Sequence, residues 1–169
     1  DDVEVEKWPA ANLIYSRPVR ALIKASDNSA VERVIMEHMR YMMEHELTTG
    51  QVFGAMVRTE DCLRPDGETG LFARFFTVTT KSLAHVPEDL CAVRPAGRYL
   101  VTYFKGDYMK TGPAYARLRR WLQAHPEWRP GDYSYEESIL EDLSTANPQE
   151  YITRVAVLLQ QSGDKRGDR

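Results

Sequence analysis

Two stretches of this chain repeat one another, and that repeat constrains the fold more than any other feature. Residues 8–17 read WPAANLIYSR and residues 94–105 read RPAGRYLVTYFK. Each carries Pro-Ala ahead of an apolar strand, and the same order of elements follows each. In the first half, the stretch SDNSAVERVIMEHMRYMMEHEL predicts a helix. Asn28 or Ser29 can cap it, and Val31, Val34, Ile35, His38 and Met42 share one face. TTGQVFGAMVRT and TGLFARFFTVTTK then predict strands around the turn-rich EDCLRPDGE. In the second half, GPAYARLRRWLQAHPEW predicts a helix with Pro113 in its first turn, and GDYSYEESILEDL and QEYITRVAVLLQ predict strands around STANP. Gly50 of the first half lies over Gly131 of the second. Such a duplication implies an α+β fold of two β-α-β-β units, about 3–82 and 92–160, related by pseudo-twofold symmetry. The expected architecture is an antiparallel sheet with helices on one side and a central ligand cleft. Residues 1–160 would form this one domain, and the polar tail 161–169 is expected to be disordered.

Composition narrows the function classes. The 169 residues are 43% hydrophobic and 28% charged, with a net charge of −3. That balance disfavours nucleic acid or a membrane as a direct partner, and no apolar run approaches the roughly 18 residues of a membrane span. Cys62 and Cys91 form no CxxC pair and read as reduced thiols, which places the protein in the cytoplasm. His38 and His45 lie seven apart without the HExxH pattern, so no metal is expected. No GxSxG, Walker loop or dinucleotide fingerprint is present, and no cofactor is expected. The chain begins at Asp1 rather than Met, as expected of a piece of a longer protein. Met36, Met39, Met42 and Met43 cluster on the first helix. They read first as core filler and second as a pliable ligand wall.

The strand GDYSYEESILEDL holds two adjacent glutamates, and a carboxylate in a half-buried strand is costly unless paired. Alternation puts Tyr133, Tyr135, Glu137 and Ile139 on one face and Ser134, Glu136 and Ser138 on the other. The expected arrangement packs the tyrosines under a helix and turns the Glu136 face to the cleft. Glu137 would then need a bulge or the sheet edge to reach water. The second half also holds Tyr99, Tyr103, Phe104, Tyr108, Tyr115, Trp121, Tyr133, Tyr135 and Tyr151. Aromatic faces beside a carboxylate suit an organic cation.

The run GRYLVTYFKGDYMKTGPAYARLRRWLQAH, then GDYSYEES, then QEYITRVAVLL, resembles the gyrase-inhibitor-like effector-binding domain. That family occurs at the C-terminus of MerR-type and AraC-type regulators and as stand-alone proteins, and the resemblance extends over about 3–159. It implies a duplicated β-α-β-β fold with a central pocket. Its aromatic-Glu step falls on Tyr135-Glu136, making Glu136 the buried anion that receives lipophilic cations in multidrug-sensing members. The tyrosine opening the final strand falls on Tyr151, and the aromatic of the loop before the second helix on Tyr108; both would line the pocket. Many relatives carry an aromatic where this chain has Ser138, which makes the wall smaller or more polar.

The expectation is therefore a small-molecule sensing domain of a bacterial transcription regulator, binding lipophilic cationic or aromatic molecules. Glu136 would be the charge partner and Tyr151, Tyr108 and Trp121 aromatic walls. Pseudo-symmetry would bring Phe53 and Phe72 to the other side. DNA would be bound only through an upstream domain, in a parent that is a homodimer. Two alternatives stand beside this: a hydrolase of reactive small molecules using the pocket glutamate as general base, or a protein-binding inhibitor module. Binding is preferred to catalysis.

Overall fold

The computed structural model describes residues 2–19, 21–22, 28–48, 52–66, 71–140 and 147–163, without the side chains of residues 21, 22, 108 and 140. In chain order the elements are β1 (Val3–Trp8), β2 (Ala11–Tyr15), β3 (Ala21–Leu22), α1 (Ser29–Glu44), β4 (Phe53–Arg58), α2 (Thr59–Cys62), β5 (Leu71–Phe72), β6 (Arg74–Thr79), β7 (Cys91–Arg94), β8 (Gly97–Lys105), α3 (Gly112–Ala124), β9 (Trp128–Leu140) and β10 (Ile152–Gln161). The expected duplication is present, as β2-α1-β4-β6 and β8-α3-β9-β10. The turn-rich segment between β4 and β6 holds the short helix α2 in place of the expected turn. The expected tail falls partly outside the described residues, and β10 itself runs to Gln161.

Eight strands form one antiparallel sheet in the order β1-β8-β10-β9-β4-β6-β2-β7, and β3 pairs separately with β5. The two units meet in the middle, where β9 pairs β4. At the edges they exchange strands. β1, which leads into the first unit, pairs β8 of the second, and β7, which leads into the second, pairs β2 of the first.

This topology dictates the sheet's shape. β1 and β2 stand six strand positions apart, a separation of roughly 29 Å in a flat sheet at about 4.8 Å per step. Only Pro9 and Ala10 join them, a reach of about 10 Å. Pro95 and Ala96 join β7 to β8 across the same separation. The sheet must therefore curl until its edges approach. Accordingly, Trp8 of edge strand β1 lies with its ring 4.7 Å from the guanidinium of Arg94 on the opposite edge strand.

The two faces carry separate cores. α1, α2 and α3 lie on one face. There Val31 and Val34 of α1, Cys62 of α2, and Ala114, Tyr115 and Leu118 of α3 pack with Ala55, Val57, Phe75, Leu100, Val155 and Val157 of the sheet. The inside of the curl holds Leu13, Met56, Phe76, Tyr99, Val101, Tyr135 and Ala156 without any helix. Gly54 belongs to the close approach at the centre. A Cβ there would lie 2.4 Å from the Glu136 carbonyl oxygen and 2.8 Å from Cζ of Phe76. Among the described residues no helix is long and apolar enough to cross a membrane.

Candidate ligand site

Both glutamates of β9 point inward, to opposite faces. Glu137 is 1% exposed and lies inside the curl. Arg94 Nη1 donates to its Oε1 at 2.6 Å, and Arg154 Nε donates to its Oε2 at 2.8 Å, with Arg154 Nη2 on the same oxygen. Both guanidiniums also lie over the Trp8 ring. The expectation that Glu137 needs a bulge or edge to reach water is thus corrected: the curl brings it two cations from β7 and β10. The sequence hid this because Arg94 is on the far edge of the sheet from β8, the strand its own unit begins with.

Glu136 has the opposite environment. It projects to the helix side, where its cross-strand neighbours are Ala55 and Val155. The expectation that the tyrosine face packs under the helices is reversed: Tyr135 lies inside the curl, and the face of Ser134, Glu136 and Ser138 lies beneath the helices. Laying Gly50 over Gly131 makes Ala55 the counterpart of Glu136, and these two are direct ladder partners. A residue that pairs with its own counterpart lies on the pseudo-twofold axis, so Glu136 sits at the centre of the molecule.

Three neighbours complete this centre. Tyr115 comes from the first turns of α3, fully buried, and its hydroxyl bonds Ser134 Oγ at 3.0 Å. Thr111 occupies the N-cap position of α3 without a side-chain capping bond and is buried. Cys62 comes from α2, buried and unpaired. Burial raises the Glu136 carboxyl to about 7, and the facing Tyr115 and Thr111 hydroxyls offset part of that rise. Burial and the nearby Glu136 charge push both Tyr115 and Cys62 up in turn. Among the described residues Glu136 Oε2 and Thr111 Oγ1 have no hydrogen-bond partner. A buried carboxylate oxygen without a donor is costly. Burial therefore favours the neutral acid over the carboxylate at this position.

The other candidates are distributed unevenly. Ser138 follows Glu136 by one alternation on the helix side and pairs with Thr153. Phe53 packs against the helix-side core, 5.7 Å from Phe75 and 6.1 Å from the His38 ring. Phe72 is buried against Phe75 and serves as core. Tyr151 is half-buried just before β10, and its carbonyl accepts from the Gly106 amide at 2.7 Å. The Tyr108 side chain lies outside the described residues. Trp121 is not brought to Glu136. It faces the outer flank of α3, stacked on His125 at 3.9 Å, in a depression of about 260 Å³ with Asp2, Val3 and Arg117. Tyr115, six residues earlier, takes the position beside the carboxylate. The sequence signal for it was its place in the opening turns of α3 on the face of Ala114 and Leu118. Buried His38 bonds Thr77 Oγ1 at 2.7 Å, and burial lowers its pKa. Among the described residues no cluster of three or more His, Cys, Asp or Glu is placed to hold a metal ion.

The same architecture occurs in solved structures. The C-terminal domain of EcmrR matches over 95% of this chain and 98% of its own, with a TM-score of 0.69 and 12% identity. The fold is that of the gyrase-inhibitor-like domain. In an EcmrR–DNA complex the match is again over 95% of this chain, at 15% identity and a TM-score of 0.70, but this chain spans only 57% of that protein. SAV2435 bound to tetraphenylphosphonium matches over 95% of this chain and 94% of its own, at 11% identity and a TM-score of 0.58. A hydrolase encoded by lin2189 of Listeria innocua matches over 94% and 92%, at 10% identity and a TM-score of 0.59. No protein-family profile and no curated protein matches the sequence. At these identities the likeness is one of fold.

Proposed function

We propose that this chain is a small-molecule sensing domain that receives a lipophilic cation on Glu136. The observation that carries the proposal is the buried, unpartnered Oε2 of a carboxyl held near 7 on the pseudo-twofold axis. A diffuse organic cation supplies the missing positive charge at lower desolvation cost than a small hydrated ion, and Coulomb attraction is strong in so dry a place. Tyr115, Phe53 and Ser138 are the wall residues nearest in the fold, with Tyr151, just before β10, a further candidate. That SAV2435 shares the fold and binds tetraphenylphosphonium supports the ligand class. That an EcmrR structure contains DNA supports a regulator as parent; a DNA-binding domain outside this one, a homodimeric parent and a bacterial cytoplasm belong to the same proposal. Regulation then requires that the ligand favour one state of the parent over another.

Calorimetric titration with tetraphenylphosphonium tests this. Glu136→Gln should weaken binding roughly 30-fold or more at pH 8. Affinity of the parent protein should fall about tenfold per pH unit below pH 7, as the carboxyl protonates. Equal affinity in the two proteins, or a flat pH profile, overturns the assignment.

One observation favours a second reading. A carboxyl near 7 beside the Tyr115 hydroxyl is suited to act as a general base on water, and the lin2189 hydrolase has this fold. Turnover of a strained electrophile that is lost in Glu136→Gln, without cation binding, would favour it.

A further inference from the structure

α1 carries a row of methionines that the core does not use. Met36, Met39 and Met43 are 62%, 36% and 73% exposed, whereas Met42 on the same helix is 2% exposed. Spacings of three and four residues place the exposed three on one flank of the helix. Neighbours fix which flank. The opposite one bears Glu37, paired with Arg17 just beyond β2, and Tyr41, packed with Ile14 and Cys91 at the β2–β7 edge. The methionine flank is therefore turned away from the β2–β7 edge, on the side where the sheet continues through β6 to β4 and β9. Ile35, one turn before Met39, packs against the same helix-side core as Phe53, whose ring lies 6.1 Å from that of His38 on α1. Phe53 precedes Ala55 by one alternation, and Ala55 is the ladder partner of Glu136.

Resting on the Glu136 reading, we propose that Met36, Met39 and Met43 are specificity-determining residues that form an adaptable wall of the ligand groove. The ligands are then bulky cations with aromatic arms, the charge reaching Glu136 and the arms lying against thioethers. The occupant follows from charge complementarity with the unpartnered Oε2. Methionine suits the role because it is unbranched and polarisable, makes favourable contacts with aromatic edges, and repacks around different shapes.

Peroxide footprinting read by mass spectrometry tests the wall, with tetraphenylphosphonium as probe and Met42 and Met56, both 2% exposed, as buried references. The cation should slow oxidation of Met36, Met39 and Met43 severalfold in the parent protein and not in Glu136→Gln. Replacing all three methionines by Gln should weaken binding about tenfold with unchanged circular dichroism. Binding with neither protection nor loss in the triple variant overturns the wall and leaves Glu136 standing. Absence of binding in the parent protein overturns both. Protection that needs no cation and grows with protein concentration assigns the row to a second copy of this chain and overturns the wall.

Discussion

Glu136 and Glu137 differ by one position and have opposite energetics. Glu137 meets two guanidiniums, and Glu136 meets only hydroxyls. The Glu136 carboxyl titrates near 7 when folded and near 4.3 when unfolded, so the folded chain holds that proton more tightly between those values. Its stabilising contribution is complete below about pH 4 and lost as pH rises through 7, a loss on the order of 3 kcal/mol by pH 8. Relative to the parent protein, Glu136→Gln should gain stability progressively from pH 5 to 8 in urea unfolding. A difference that does not change with pH would contradict a buried acid. Glu137→Gln should instead destabilise, costing about 3–5 kcal/mol at pH 7, because it strands Arg94 and Arg154 without their anion.

The β4–β9 ladder is the element that sets Glu136 in place, and Gly54 permits its close packing. Gly54→Ala should cost about 3 kcal/mol in denaturant unfolding, since backbone and a ring edge, not a flexible tip, occupy the Cβ position. It should also weaken tetraphenylphosphonium binding by displacing the Glu136 backbone. Much at this level was legible in the chain. The Pro-Ala repeat, the helix periodicities and the tyrosine-rich strand predict the two units and their order. What stayed hidden depends on pairing between distant segments. Alternation separates the faces of β9 but does not say which one meets the helices. That is decided by where α1 and α3 dock, and it reversed the expected side. The same limit applies to Trp121 and Tyr115: the sequence shows a helical stripe, not which flank of α3 borders the carboxylate.

The exchanged edge strands bind the two units into one cooperative body. Residues 2–88 alone would lack the β8 partner of β1, and residues 89–163 alone would lack the β2 partner of β7. Neither fragment should fold by itself, while co-expressed fragments should associate into a complex that binds tetraphenylphosphonium, as gel filtration and titration would reveal. A monomeric, folded single fragment would contradict the reciprocal pairing. The exchange also bears on how a lone charge can occupy the axis. Two identical units assembled this way would form a strand-swapped dimer, and strict symmetry would force the same residue onto both sides of its centre. Two glutamates would repel across the ladder, and two alanines would offer no charge. Joining the units in one chain breaks that symmetry. It lets Ala55 face Glu136, so that one carboxylate stands opposite a small, uncharged side chain.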